Sequence, residues 1–256
     1  MFPGNRYCVI AVDLPGHGHS DHLPVGAFYN EFVWVCSLKA VIDSFGWTEN
    51  VHFIAHSMGS NAVLHLASLY PNLVGSFVML DNVMPKIFPA DRLSKQMAQD
   101  IELFNAILEQ IETNPSSRKR LYDYESAIQV IILTHNNGKI DRSGAECLLR
   151  RAVKNCGSNR FMFQRDPRLN SPIYQRKTKK EMIEMLSQIQ AGRLLILRAR
   201  ETVLSTEEDC DFVELYKSCF TEVIHREIPG DHYVHLTRSR DCLPHILDFL
   251  SKIIVK

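Results

Sequence analysis

One serine is set apart by its surroundings. In "VHFIAHSMGSNAVLHLASLYP", residues 51–71, an apolar run at 51–55 leads straight into His56-Ser57-Met58-Gly59 and then into a helical pattern. A serine hydroxyl is a poor nucleophile until a base takes its proton and the oxyanion that forms is stabilised. A strand running into a tight turn and then a helix serves both needs. The turn lifts the hydroxyl above the sheet, and the helix N-terminus offers unpaired N–H groups and the positive end of its dipole. Such a turn needs small residues two before and two after the serine, and Ala55 and Gly59 stand there. The pattern is G-x-S-x-G with alanine for the first glycine.

The base should come later in the chain. "IPGDHYVHLTRS" offers His232 and His235 directly after an apolar run that ends at Ile228. Sites of open parallel sheets collect at the carboxyl ends of the strands, which favours His232 and leaves His235 to pack or orient the loop. An acid that would orient the imidazole has two candidates. Glu201, in "LLILRARETVLS", leaves one apolar run, and Asp81, in "SFVMLDN", ends another; Glu201 is the preferred reading and Asp81 the alternative. Asp13, in "VDLPGHGHS", reads as structural, accepting hydrogen bonds within the turn made by Gly16 and Gly18. His17, His19 and His22 alternate as zinc ligands can, but a glycine-punctuated turn without cysteine ligands reads as a loop, and no metal site is expected.

The elements needed to position these groups are legible as patterns. Apolar runs at 7–12, 51–55, 76–80, 194–197 and 222–228 read as buried strands, the last with enough alternation for an edge. Phe28, Phe32, Val35, Leu38, Ile42 and Phe45 step as one helical stripe ending at Gly46; residues 61–70 and the stripe from Leu243 to Ile254 give two more helices. Alternation of this kind predicts a mostly parallel sheet covered on both faces, an α/β fold. The alternation lapses between 84 and 192. Helical patterns at 91–113, 117–133, 143–154 and 179–190 predict an all-helical lid inserted into a core made of 1–83 and 193–256.

The chain has 256 residues, 45% of them hydrophobic, enough for one substantial core. Lysine plus arginine equals aspartate plus glutamate at 29 each, which argues against an electrostatic commitment to nucleic acid or anionic membrane. No apolar run approaches the ~20 residues of a membrane span. Seven cysteines without close pairing suit a reducing compartment, most of them buried as small apolar residues, so a soluble cytoplasmic protein is expected.

Taken together, "VDLPGHGHS", "AHSMGS", "FVMLDN", "QRDPRL" and "IPGDHYVHL" resemble the α/β-hydrolase superfamily and, within it, the serine hydrolase-like proteins. The resemblance implies a hydrolase with Ser57 as nucleophile and His232 as base. It implies the backbone N–H of Met58 as an oxyanion donor, and neither metal nor organic cofactor. The expected partner is a small acyl or aryl substrate, an inclination that Leu103, Phe104, Leu108, Phe161, Met162 and Phe163 of the insertion share. The family carries, ahead of the stretch matching residues 7–12, a strand and His-Gly segment that supplies a second oxyanion donor. That strand lies between those matching 7–12 and 51–55. The expectation is an N-terminally shortened form with either a gap in the sheet or a changed register, weakly active or inactive. The alternative is a non-catalytic binding protein on the same scaffold.

Overall fold

The computed structural model describes residues 7–83, 87, 89–114, 120–135, 139–171, 177–202 and 209–252. The first regular element is helix α1 (Glu31–Ser44), capped by Asn30, whose side chain accepts from the Val33 N–H at 3.1 Å. It ends at Phe45 and Gly46, the glycine taking the left-handed conformation at φ +68°. Strand β1 (Val51–His56), helix α2 (Met58–Leu69) and strand β2 (Val74–Leu80) follow as one crossover unit of parallel strands. The long insertion comes next: α3 (Leu93–Thr113), α4 (Tyr124–Thr134), α5 (Arg142–Ala152), the strands β3 (Val153–Asn155) and β4 (Phe161–Phe163), and α6 (Lys179–Leu186). The core resumes with β5 (Ala191–Ala199), α7 (Asp209–Cys219), β6 (Phe220–Ile228), the single turn α8 (Val234–Thr237) and α9 (Ser239–Ser251).

The main sheet is parallel throughout, in the order β1-β2-β5-β6. Period-two alternation sorts its side chains into two layers. Phe77 and Met79 of β2 and Leu194 and Ile196 of β5 face α2, α6 and α7, whereas Val78, Leu80, Leu195 and Leu197 face α9. All eight are buried, each contributing about 1.5–3 kcal/mol relative to exposure. Burial on both faces explains why these strands read as unbroken apolar runs. Helix α1 packs on α2 through Val35, Ile42 and Leu66.

Several expectations are corrected. Residues 7–12 form no strand: the segment is irregular, with Val9, Ile10 and Val12 exposed, and the sheet begins at β1. Neither outcome foreseen for the sheet describes it, because residues 7–12 are not part of it. A cavity of about 770 Å³ separates residues 7–12 from β1, with Leu38, Trp47 and Leu250 among its walls. The insertion is not all helical. Its α5 gives way at Val153 to an antiparallel hairpin in which Val153 pairs with Phe163 and Asn155 with Phe161. Met182 and Leu186 of α6, read with the insertion, pack in the main core beside Leu64 and Tyr216. The start of the helix expected from 117 lies outside the described residues, and the described helix begins at Tyr124 behind the Asp123 cap. Five of the seven cysteines are exposed and only Cys219 and Cys242 are buried; all seven are free thiols. Among the described residues no helix is long and apolar enough to cross a membrane.

Candidate active site

Because the four strands run parallel, their carboxyl ends meet along one edge of the sheet, and every candidate group leaves the sheet there. Ser57 follows β1, Asp81 follows β2, Glu201 follows β5 and His232 follows β6. Ser57 sits at φ 50°, ψ −117°, a conformation that costs a non-glycine residue on the order of 1–3 kcal/mol. Its backbone is held by its N–H donating to the Leu80 carbonyl at 3.2 Å and by Asn82 Nδ2 donating to its carbonyl at 3.1 Å. A Cβ added at Gly59 would stand 3.5 Å from the Ala55 Cβ, in ordinary van der Waals contact, so the bend brings these two positions together. The Ser57 hydroxyl makes no hydrogen bond among the described residues, and Met58 opens α2, where an N–H has no acceptor within the helix.

Asp81 also turns sharply, at φ 41°, while its N–H still donates to Leu197 at 2.8 Å. That turn sends the carboxylate across the end of β5. It accepts from the Ala199 N–H at 2.8 Å, from Thr202 Oγ1 at 2.7 Å and from His232 Nδ1 at 2.8 Å. Burial alone would raise the Asp81 pKa; the donors from His232, Thr202 and Ala199 outweigh it and hold the carboxyl below its ordinary value. A carboxylate can only accept, so the hydrogen lies on His232 Nδ1 and leaves Nε2 with a free lone pair in the neutral ring.

His56, immediately before Ser57, lies against this base. Its Nε2 is 2.7 Å from the His232 carbonyl oxygen, and its ring centroid is 4.4 Å from that of His232 and 4.0 Å from that of His235. His232 is therefore placed beside the serine turn and bonded to Asp81. Glu201 is not brought to it. Its backbone N–H donates to the Gly230 carbonyl at 3.0 Å, and its exposed side chain makes no hydrogen bond among the described residues. The preference for Glu201 over Asp81 as the imidazole's partner is thus reversed by the hydrogen bonding. His235 packs on His56, with its Nδ1 buried and unpartnered among the described residues.

The other sequence candidates are spent on holding loops. Asp13 accepts from the His19 N–H at 2.8 Å and from Arg151 of α5 at 2.5 Å. His22 lies between the Gln164 carbonyl, at 2.7 Å, and Asp166, at 3.2 Å. Asp166 and Arg168 of "QRDPRL" are buried together: the guanidinium meets the carboxylate at 2.8 Å and donates to the carbonyls of Leu23, Pro24 and Ala27. Among the described residues no histidine, cysteine and carboxylate cluster could hold a metal ion.

A model of the α/β hydrolase fold matches residues 2–120. A probable serine hydrolase of Drosophila melanogaster is 26% identical over 95% of this chain and 73% of its own length. A serine hydrolase-like protein of Danio rerio is 29% identical over 96% of this chain and 74% of its own. The chain has the α/β-hydrolase fold and is similar over nearly its whole length to serine hydrolase-like proteins. A solved structure of a hypothetical protein from Pseudomonas aeruginosa PAO1 superposes on this α/β-hydrolase with a TM-score of 0.74, covering 94% of this chain and 79% of the other at 21% identity. The thioesterase domain from the curacin biosynthetic pathway gives 0.65 at 17% identity, covering 92% and 78%. At these identities the likeness concerns fold alone. Sequence reasoning overlooked two residues of the candidate site, His56 and Thr202. The signal for Thr202 was its place five residues past the end of the run at 194–197; for His56 it was an imidazole abutting the serine.

Proposed function

We propose that this α/β-hydrolase is a serine hydrolase acting on an acyl ester or related carbonyl compound, with Ser57 as nucleophile, His232 as base and Asp81 as the acid that orients it. The observation that carries the reading is the 2.8 Å bond between His232 Nδ1 and the buried Asp81 carboxylate, set beside the serine turn. In the first step His232 Nε2 takes the Ser57 proton as Oγ attacks the carbonyl carbon. The resulting imidazolium is stabilised by Asp81, and the oxyanion faces the Met58 N–H at the head of α2. The imidazolium then gives its proton to the leaving alcohol, and water repeats the sequence to free the acid. The insertion over residues 84–192 is the part of the chain that would act as a lid and choose the substrate.

A second reading, a non-catalytic binding protein on the same scaffold, is favoured by one observation: the Ser57 hydroxyl makes no hydrogen bond among the described residues. A fluorophosphonate probe decides between them. The serine hydrolase becomes labelled, with labelling abolished in Ser57→Ala; no labelling of the folded protein under prolonged exposure favours the binder.

A further inference from the structure

His56 is not explained by the three groups of the proposed triad. It ends β1, whereas His232 leaves β6 at the other edge of the sheet, with β2 and β5 between them. The base must reach back across two strands, and His56 meets it there. A carbonyl oxygen can only accept, so the 2.7 Å contact with the His232 carbonyl requires a hydrogen on His56 Nε2. Around the ring stand His232 and Tyr233 from the loop after β6 and His235 from α8, with the Asp81 charge behind His232. Burial and the two neighbouring imidazoles push the His56 pKa down to about 3, so the ring is neutral under ordinary conditions. A neutral ring can lie against His232, tilted by 41°, without opposing the positive charge that His232 would acquire as a base.

We propose that His56 is a positioning residue for the base: its Nε2–H holds the main-chain carbonyl of His232 and its ring face sets the plane of that imidazole. The end of the nucleophile's strand and the base's loop are thereby joined into one unit. A displacement of about 1 Å at a reacting group can cost on the order of 10²-fold in rate, so the clamp acts on turnover rather than on substrate affinity. The inference rests on Ser57 and His232 being catalytic, as proposed above.

The experiment compares esterase kinetics of purified wild type, His56→Phe, His56→Gln, Ser57→Ala and His232→Ala. Phenylalanine keeps the ring and removes the donor; glutamine restores an N–H near the Nε2 position. His56→Phe should lower kcat by roughly 10–100-fold with KM changed less than about threefold. His56→Gln should recover most of the loss. If Ser57→Ala or His232→Ala retains hydrolysis, the catalytic reading itself fails. If both are inactive while His56→Phe keeps wild-type kcat, or if the loss falls on KM alone, the positioning role fails and the catalytic reading survives. Imidazole ¹⁵N NMR on the wild-type protein covers the case in which His56→Phe does not fold. A neutral Nε2–H tautomer of His56 that persists below about pH 5 supports the clamp, and an Nδ1–H tautomer or titration near the ordinary histidine value of about 6.5 overturns it.

Discussion

Asp81 and Asp166 are both almost fully buried, at 1% and 0% exposure, and both gather several donors. Asp81 accepts from Ala199, Thr202 and His232; Asp166 accepts from Tyr29, from the backbone and guanidinium of Arg168, and lies 3.2 Å from His22. In each, burial raises the carboxyl pKa and the donors more than reverse it. What separates them is the principal partner. Arg168 keeps its charge at any working pH, so the pair at 166 and 168 is a fixed clamp that ties the carbonyls of residues 23, 24 and 27 to the insertion. His232 can change its charge, so the pair at 81 and 232 can take up and return a proton. Similar burial and similar donor counts thus give a fastener in one place and a chemical device in the other.

Asparagine at each site should separate the two roles most widely. Asp81→Asn should lower hydrolytic turnover by about 10⁴-fold, because an amide cannot fix the required His232 tautomer, while thermal unfolding shifts only modestly. Asp166→Asn leaves Arg168 as an uncompensated buried charge and should destabilise the fold by about 3–5 kcal/mol, with turnover per folded molecule little changed. Steady-state kinetics and denaturant melts on the two variants check this. The reverse pattern would dissolve the distinction.

That distinction could not be read from the sequence, although much around it could. The serine turn was legible because a bent strand–helix join restricts residue sizes on both sides of Ser57. The main-sheet strands β1, β2, β5 and β6 were legible as apolar runs, most plainly β2 and β5, which are buried on both faces. The acid was not, since Asp81 and Glu201 each follow an apolar run. The choice depends on two backbone features without a one-residue signature: the left-handed turn at Asp81, and the loop after β6 crossing β5 so that Glu201 is engaged through its N–H. Residues 7–12 have the apolar run of a strand but, among the described residues, no neighbouring strand to pair with, and pairing is what makes a strand. Helix α7 was missed because its exposed face is heavily charged; Phe212, Tyr216 and Cys219 still carry its buried stripe. The hairpin after α5 has only three residues a side, too few for alternation to be seen.

Acid should dismantle the two regions in different pH ranges. His56 and His235 have pKa values depressed to about 3 and about 4, chiefly by burial. Below about pH 6.5 the unfolded chain binds protons that these rings refuse in the folded protein. Their share of stability is therefore present in full above that pH and is lost as pH falls towards 4, at up to about 1.4 kcal/mol per pH unit for each ring. Asp166 is held below its ordinary value, so its share stays until pH falls below about 3.9. His235→Gln should flatten the stability profile between about pH 6 and 4 while leaving the steeper loss at lower pH in place. Calorimetric melts across that range check the order; an unchanged slope in the variant would count against it.

The smallest effect is expected at the rejected acid. Glu201→Gln removes an exposed charge that has no side-chain partner among the described residues, and should change stability by no more than about 0.5 kcal/mol and turnover by less than about twofold. A large loss of turnover would return Glu201 to the site and reopen the assignment of Asp81.

The central claim, that His232 poised by Asp81 activates Ser57, is tested most directly by mapping a fluorophosphonate adduct with tandem mass spectrometry in wild type, Asp81→Asn and His232→Ala. The account predicts the adduct on Ser57 in wild type, formed far more slowly in Asp81→Asn and lost in His232→Ala. An adduct on another residue, or Ser57 labelled at the same rate in all three proteins, would contradict it.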